Sequence, residues 1–338
     1  MPECRPHRIG PPRQTGRRPF WSVMIPCYNR TKYLEKTLTS VLAQDPGAEE
    51  MQIEVLDDAS NLADPEPLVR RVAGDRVSFV RHNRNLGLVP NFNCCVERSL
   101  GHWVHVLHTD DYVLPGFYER LKDAVAARSD VGAMFCRAVF VDAEDRRLCE
   151  GELERSTPGI LPDFIEKIGM SQRIVTPTIV VRRNVYEKLG GYLPELQYTS
   201  DWQMWIRIAA NYPIWYEPSA LAACRLHSGS ETSNLMKSGR PVADFRRSIE
   251  ISEYLLPPDR ADAISRRARE WVSLQAFTFA RASLAKANFT AALSQAWEGL
   301  RCSSSPRVIK AFVLLLAGIA KAAVRRPSRI VQQGYSQD

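Results

Sequence analysis

The run Trp21-Ser22-Val23-Met24-Ile25 is apolar enough for a short buried strand, and the proline after it is expected to end that strand. In the next stretch, TKYLEKTLTSVLAQ, Leu34, Leu38, Val41 and Leu42 recur at helical spacing behind Thr31, a good N-cap residue, which predicts an amphipathic helix. Gln52 to Leu56 reads as a second strand closed by Asp57 and Asp58. A loop containing Asn61, Asp64, Pro65 and Pro67 separates it from a third strand, Val77 to Val80. After the turn-rich HNRNLG, Phe92, Cys95, Val96 and Ser99 share one helical face, and Gly101 ends the helix. Trp103 to Leu107 form a fourth strand that runs into Asp110 and Asp111.

Strands alternating with helices at this spacing imply βαβ crossovers, hence an α/β fold with a doubly wound, mainly parallel sheet. Such sheets bind ligands beyond the carboxyl ends of their strands. Three of those ends read PCYN, DDAS and HTDD, so the polar residues collect there. The adjacent carboxylates Asp110 and Asp111 repel one another and resist a low dielectric, so water, a cation or hydrogen-bond donors must compensate them. That pair is a site candidate or an ordinary polar turn.

Gly132 to Val141 and Ile174 to Val181 are further strands, with Pro177 marking the second as an edge or a bulge. GGYLPELQYTSDWQMWIRIAANY gives a glycine turn, an extended piece and a helix beginning near Ser200. Beyond about residue 236 the pattern turns to helices with Arg-rich polar faces. The chain is accordingly divided into a disordered basic tail (1–19), an α/β domain (20–235) and a helical C-terminal region (236–338). Its most apolar helical segment, 308–324, contains Lys310 and Lys321 and is short for a membrane span. A buried packing helix is the first reading of it, an interfacial membrane helix the second and a true span the third.

With 338 residues, 45% of them apolar and 25% charged, the chain fits an enzyme-sized globular protein. Its net charge of +7 raises nucleic acid as a partner, but the charge sits at the ends. Residues 1–20 carry +4 and residues 305–338 carry +5, leaving −2 for the body. That distribution argues against a nucleic-acid groove and favours an acidic membrane surface as partner of the basic, apolar C-terminus. The eight cysteines show no CxxC pair or zinc spacing and read as reduced thiols of a cytoplasmic protein, peripheral at most to the inner face of the membrane. The Pro/Arg-rich N-terminus has no apolar stretch and reads as neither signal peptide nor anchor.

Taken in order, SVMIPCYNR, EVLDDAS, NLGLVPNFN, HTDD, GGY with SDWQMW, and CRLHSGS resemble the inverting family 2 glycosyltransferases of the GT-A fold. Each motif is weak alone; six in order over residues 22–230 make the resemblance specific. It implies a GT-A sheet with a C-terminal helical extension. It also implies transfer of a sugar from a UDP-, GDP- or dTDP-sugar to a hydroxyl acceptor, a glycan or a lipid-linked one, in surface or envelope polysaccharide or glycolipid synthesis. By the same resemblance Pro26 and Tyr28 hold the nucleotide base, with Arg30, Asn85 and Gly87 in the same nucleotide-sugar-binding set. Asp57 and Asp58 accept hydrogen bonds from the nucleobase or ribose, a role suited to an acceptor-only carboxylate; the alternative is an Asx-type turn with Ser60.

Asp110 and Asp111 match the motif that joins the diphosphate to Mg²⁺ or Mn²⁺, with Asp111 as direct ligand and Asp110 toward the ribose or in support. His227 matches a histidine that completes the metal or diphosphate site from a mobile loop. Asp201 matches the general base, with Ser200 where relatives often carry Glu; the alternative is a helix cap. Trp202 and Trp205 floor an acceptor pocket or are core aromatics. Where many relatives read DxDD, this chain has His108, read first as a structural residue and second as a ligand. Two rivals stand beside this reading. A sugar-phosphate nucleotidyltransferase should carry a Gly-rich loop after its first strand, and PCYNRTK has no glycine. A catalytically silent GT-A-like binding protein would account for His108 and Ser200 as departures.

Overall fold

The computed structural model describes residues 6–12, 16–128, 130–230 and 241–324. Its single sheet contains β1 (Trp21–Cys27), β2 (Met51–Asp57), β3 (Ser78–Arg81), β4 (Trp103–Val106), β5 (Tyr112–Val113), β6 (Ala133–Val141), β7 (Arg147–Glu150), β8 (Gly159–Ile160), β9 (Ile179–Arg182) and β10 (Ile214–Arg225). The main order is β3-β2-β1-β4-β9-β6-β10-β5, with β7 on β6 and β8 on β10. β3, β2, β1 and β4 run parallel, as the alternating pattern predicts. β9 then enters antiparallel to both β4 and β6, and β10 runs parallel to β6.

Successive residues of β1 feed opposite faces, which is why the strand is apolar throughout. Val23 and Ile25 pack with α1 (Leu34–Leu42), α2 (Glu66–Ala73) and α4 (Phe117–Ala127). Met24 packs with α3 (Leu88–Arg98), α5 (Phe164–Met170), α6 (Arg183–Leu189) and α7 (Ser200–Asn211) on the other face. Among the described residues four α-helices follow: α8 (Pro241–Ser252), α9 (Ala261–Ala285), α10 (Phe289–Cys302) and α11 (Pro306–Val324). Val242, Phe245, Ile249, Ala268 and Val272 join the same apolar cluster as Trp202 and Trp205 of α7, so α8 and α9 share the core of the sheet.

Several expectations are corrected. Pro26 does not end β1. Its nitrogen faces the β4 side, as the Met24 carbonyl does, and β4 pairs only as far as Met24, so no ladder donor is missing there. The α1 helix starts at Leu34 without a side-chain cap from Thr31. Pro177 lies in a 3₁₀ turn, Thr176–Thr178, and the strand after it is central between β4 and β6 rather than an edge. The part of the N-terminal tail within the described residues is packed, not disordered. Ile9 is 3% exposed in the core, Arg18 donates to the carbonyls of Leu100 and Gly101, and Arg183 donates to the carbonyl of Gly10. Arg5, Arg13, Arg325, Arg326 and Arg329 lie outside the described residues.

Among the described residues no helix is long and apolar enough to cross a membrane. The α11 helix buries Val308 and Leu315 but leaves Ile309, Val313, Leu314 and Leu316 exposed. The seven described cysteines are free thiols.

Candidate active site

A cleft of about 1070 Å³ opens at the carboxyl ends of β1, β2 and β4. Of the residues singled out in the sequence, Pro26, Tyr28, Arg30, Asp58, Asn85, Gly87, His108, Asp110, Asp111, Asp201 and His227 line it. Asp57, Trp202 and Trp205 do not.

The end of the cleft around Tyr28 and Asp58 is shaped by loops that hold one another. Asn29 adopts φ 52°, and its side-chain oxygen accepts the N–H groups of Asn61 and Leu62, tying the β1 loop to the β2 loop. Asp58 accepts the N–H groups of Leu86 (2.7 Å) and Gly87 (2.9 Å). Gly87 has φ 93°, a conformation glycine adopts without strain, and it leads directly into α3. Asp57 is fully buried instead. It pairs with Arg81 at 2.6 Å and accepts from both the N–H and the hydroxyl of Ser60, so the Asx-type turn describes it and contact with a nucleotide does not.

The acidic pair sits in the turn after β4. Asp111 is 4% exposed. Its Oδ1 accepts the backbone N–H of Arg225 at 2.9 Å, while Thr37 donates its hydroxyl to the carbonyls of Thr109 and Asp111. Burial first, and then the charge of Asp110, push the Asp111 carboxyl well above its ordinary value. Burial works against ionised Asp110 too, but the hydrogen bond from His227 and the nearness of His108 hold it below its ordinary value. His227 Nε2 lies 2.9 Å from Asp110 Oδ2, so the histidine and the first acid of the pair meet at one point of the cleft.

His108 stacks on Phe92, with ring centroids 5.2 Å apart and planes 19° from parallel. Its Nδ1 is 3.7 Å from Asp111, and its buried Nε2 has no hydrogen-bond partner among the described residues. One donor atom each from His108, Asp110 and Asp111 lie within 4.8 Å of one another. Two carboxylates and an imidazole are a set that first-row divalent cations accept. Burial lowers the pKa of His108, against the nearby charge of Asp110. His105, three residues earlier, is structural: fully buried, it joins Tyr118 and the Pro177 carbonyl, each at 3.1 Å.

Asp201 stands in the first turn of α7. Its Oδ1 accepts the Trp202 N–H at 2.7 Å and its Oδ2 accepts Gln172 Nε2 at 2.8 Å. Burial outweighs these donors and raises its pKa to about 6. Trp202 and Trp205 are core residues. Trp202 donates to the Ile168 carbonyl and packs on Phe245 and Trp271, so neither ring floors an acceptor site.

Three contributors were not read from the sequence. Arg225, whose side chain is 1% exposed, donates to the carbonyls of Asp110 and Asp142, pairs with Asp145 and covers the Tyr33 ring at 4.2 Å. Asp244 of α8 accepts the N–H groups of Tyr198 and Thr199, both at 2.8 Å, fixing the loop that presents Asp201. Lys286, at the end of α9, lines the same cleft.

The glycosyl transferase family 2 model matches residues 22–190, half of the chain. The chain belongs to glycosyl transferase family 2. As a family 2 glycosyltransferase it is similar to the succinoglycan biosynthesis protein ExoO of Rhizobium meliloti, 30% identical over 150 residues that cover 44% of this chain and 42% of ExoO. Its fold is similar to that of S. aureus TarS 1–349 in complex with UDP-GlcNAc, with a TM-score of 0.56, 15% identity and 83% of this chain and 91% of that one covered. It is also similar to the mannosyltransferase PcManGT of Pyrobaculum calidifontis in complex with GDP-Man and Mn²⁺, with a TM-score of 0.56, 18% identity and coverage of 96% and 86%. The glycosyltransferase therefore has the GT-A type of α/β fold, extended by C-terminal helices.

Proposed function

We propose that this glycosyltransferase moves a sugar from a nucleoside diphosphate sugar to a hydroxyl acceptor with inversion at the anomeric carbon. The observation that carries the reading is Asp201. Its carboxyl faces the cleft that holds Asp110 and Asp111, and burial raises its pKa to about 6. A base of that strength is ionised near neutral pH yet still takes the proton as the acceptor hydroxyl attacks. Gln172 and the Trp202 N–H fix the two carboxylate oxygens, so the proton-accepting group is oriented before the acceptor arrives.

Asp111 and Asp110 would hold Mg²⁺ or Mn²⁺, with His108 beside them. When bound, such a cation neutralises charge developing on the departing diphosphate. Pro26, Tyr28, Arg30, Asp58, Asn85 and Gly87 form the nucleotide end, and the complexes of the two structural neighbours make UDP- and GDP-sugars the first donors to try. The similarity to ExoO supports a surface polysaccharide or its lipid-linked precursor as acceptor. The protein would then work in the cytoplasm at the inner face of the membrane, with 20–235 as catalytic domain and the helical region 236–338 turned toward acceptor and membrane.

The test is release of nucleoside diphosphate from UDP-, GDP- and dTDP-sugars with and without Mn²⁺. Wild type should turn over only with metal, and Asp201→Asn and Asp111→Ala should each lose about 10²–10⁴-fold. Unchanged turnover in both variants overturns the proposal. Metal-dependent donor binding without turnover on any acceptor tried favours the silent binding protein.

A further inference from the structure

We infer that the groove between α9, α10 and α11 takes the hydrocarbon chain of a lipid-phosphate-linked acceptor, whose phosphate meets Lys286 at the mouth of the catalytic cleft. The inference rests on the glycosyltransferase reading of that cleft. Phe289, Leu293 and Trp297 recur every four residues along α10, hence on one face, and remain exposed, Leu293 by 72% and Trp297 by 64%. Opposite them stand Leu284 of α9 and Phe312 and Leu316 of α11. The groove has a volume of about 370 Å³, within the roughly 300–1,000 Å³ of small-molecule sites. Apolar concavities left open to water mark binding surfaces.

Proximity and charge choose the occupant. The groove includes Leu284, and Lys286, two residues further on, lines the catalytic cleft with Gln197, Tyr198 and Asp201. An exposed cation therefore stands between the apolar groove and the cleft that holds Asp201. Lys310 is exposed on α11, which suits an anionic head group. A molecule with its chain in the groove and a phosphate at Lys286 directs the sugar beyond that phosphate toward Asp201. A water-soluble glycan would leave the groove empty, and a second copy of the chain would leave Lys286 without a role.

The experiment titrates the full chain with dodecyl phosphate below its micelle concentration, with dodecanol and inorganic phosphate as comparators, by isothermal calorimetry. Dodecyl phosphate should bind, dodecanol about tenfold more weakly, and phosphate alone not measurably. Leu293→Asp, at an exposed position, should weaken dodecyl phosphate at least about tenfold. Lys286→Glu should reduce it to the level of dodecanol. A UDP-sugar thermal shift retained in Leu293→Asp, which lies outside the cleft, shows that the cleft is folded, and a cooperative thermal transition retained in Lys286→Glu shows that this variant is folded. Dodecyl phosphate binding that neither substitution alters overturns the inference, and the donor shift then leaves the glycosyltransferase reading standing. Binding confined to vesicles of anionic phospholipid, or self-association abolished by Leu293→Asp without dodecyl phosphate binding, overturns it in favour of a bilayer surface or a second copy. Absence of donor binding and turnover in the wild type sinks the glycosyltransferase reading instead.

Discussion

His227 Nε2 contacts Asp110 Oδ2 at 2.9 Å across 117 residues of sequence, and two positions before it the Arg225 N–H donates to Asp111 Oδ1. The end of β10 thus grips both acids of the β4 turn, each through a different group. Removing the imidazole leaves Asp111 in place but frees Asp110 to turn. His227→Ala should weaken Mn²⁺ binding in the presence of UDP about 10–100-fold, the usual effect of losing a ligand's hydrogen-bond partner. Calorimetric titration measures it, and His227→Gln, which keeps an N–H donor, should restore part of the affinity.

Asp201 gives a pH dependence whose sign is fixed. With Asp201 as the proposed base the carboxylate is the active form, and burial has raised its pKa to about 6, so kcat/KM should climb as pH rises through about 6 and level off above it. Gln172 donates to the ionised form, so Gln172→Leu should move that limb to higher pH, whereas a purely structural loss would lower the plateau without moving the limb. Asp201→Asn should abolish the limb along with the rate. A limb that stays at the same pH in Gln172→Leu would remove Gln172 from the base's environment.

The first four strands and the residues at their ends were legible because apolar runs closed by Pro, Asp or Gly carry a local signal. Asp58, Asp110 and Asp111 reach one cleft for that reason, and Asp201 joins them from the start of α7. What failed was decided at long range. Asp57 and Asp58 look alike as a dipeptide, and only the fold brings Arg81 to the first and the Leu86 and Gly87 amides to the second. Pro177 argues for an edge strand until the turn it occupies is seen to precede the paired residues. Trp202 and Trp205 stand three apart on a helix whose neighbours are apolar, a spacing that marks a core face more than a sugar platform. Asp244 acts on Thr199 across 45 residues, and nothing local announces it. Arg225 did leave a trace, as a charge ending the apolar run LAAC just before the HSGS loop.

Arg225 should matter more for stability than a surface arginine does. Its guanidinium satisfies the Asp110 and Asp142 carbonyls and pairs with Asp145 while almost wholly buried. Arg225→Met leaves those acceptors short of a donor, and the cost should be about 2–4 kcal/mol. Chemical denaturation measures it. Because the same side chain braces the turn, Mn²⁺ affinity should fall as well; a stable variant with normal Mn²⁺ binding would show that β10 holds the acids through its backbone alone.

Asp244 ties the helical C-terminal region to the chemistry. It accepts three donors from Tyr198 and Thr199, directly ahead of Asp201, and its helix also supplies Phe245, which packs on Trp202. Asp244→Ala frees that loop without touching the acidic pair, so kcat should fall while Mn²⁺ and UDP bind as before. Truncation after residue 235 is a harsher change, because it strips Val242, Phe245, Ala268 and Val272 from the core cluster around α7. Each large apolar side chain lost from a core costs about 2–5 kcal/mol, and several such losses match or exceed the stability of an ordinary domain. The shortened chain should therefore fail to give a cooperative thermal transition, although the residues 22–190 matched by the family model would all be present. A stable, active fragment ending at 235 would instead make the helical region a separate unit and confine the role of Asp244 to fine positioning.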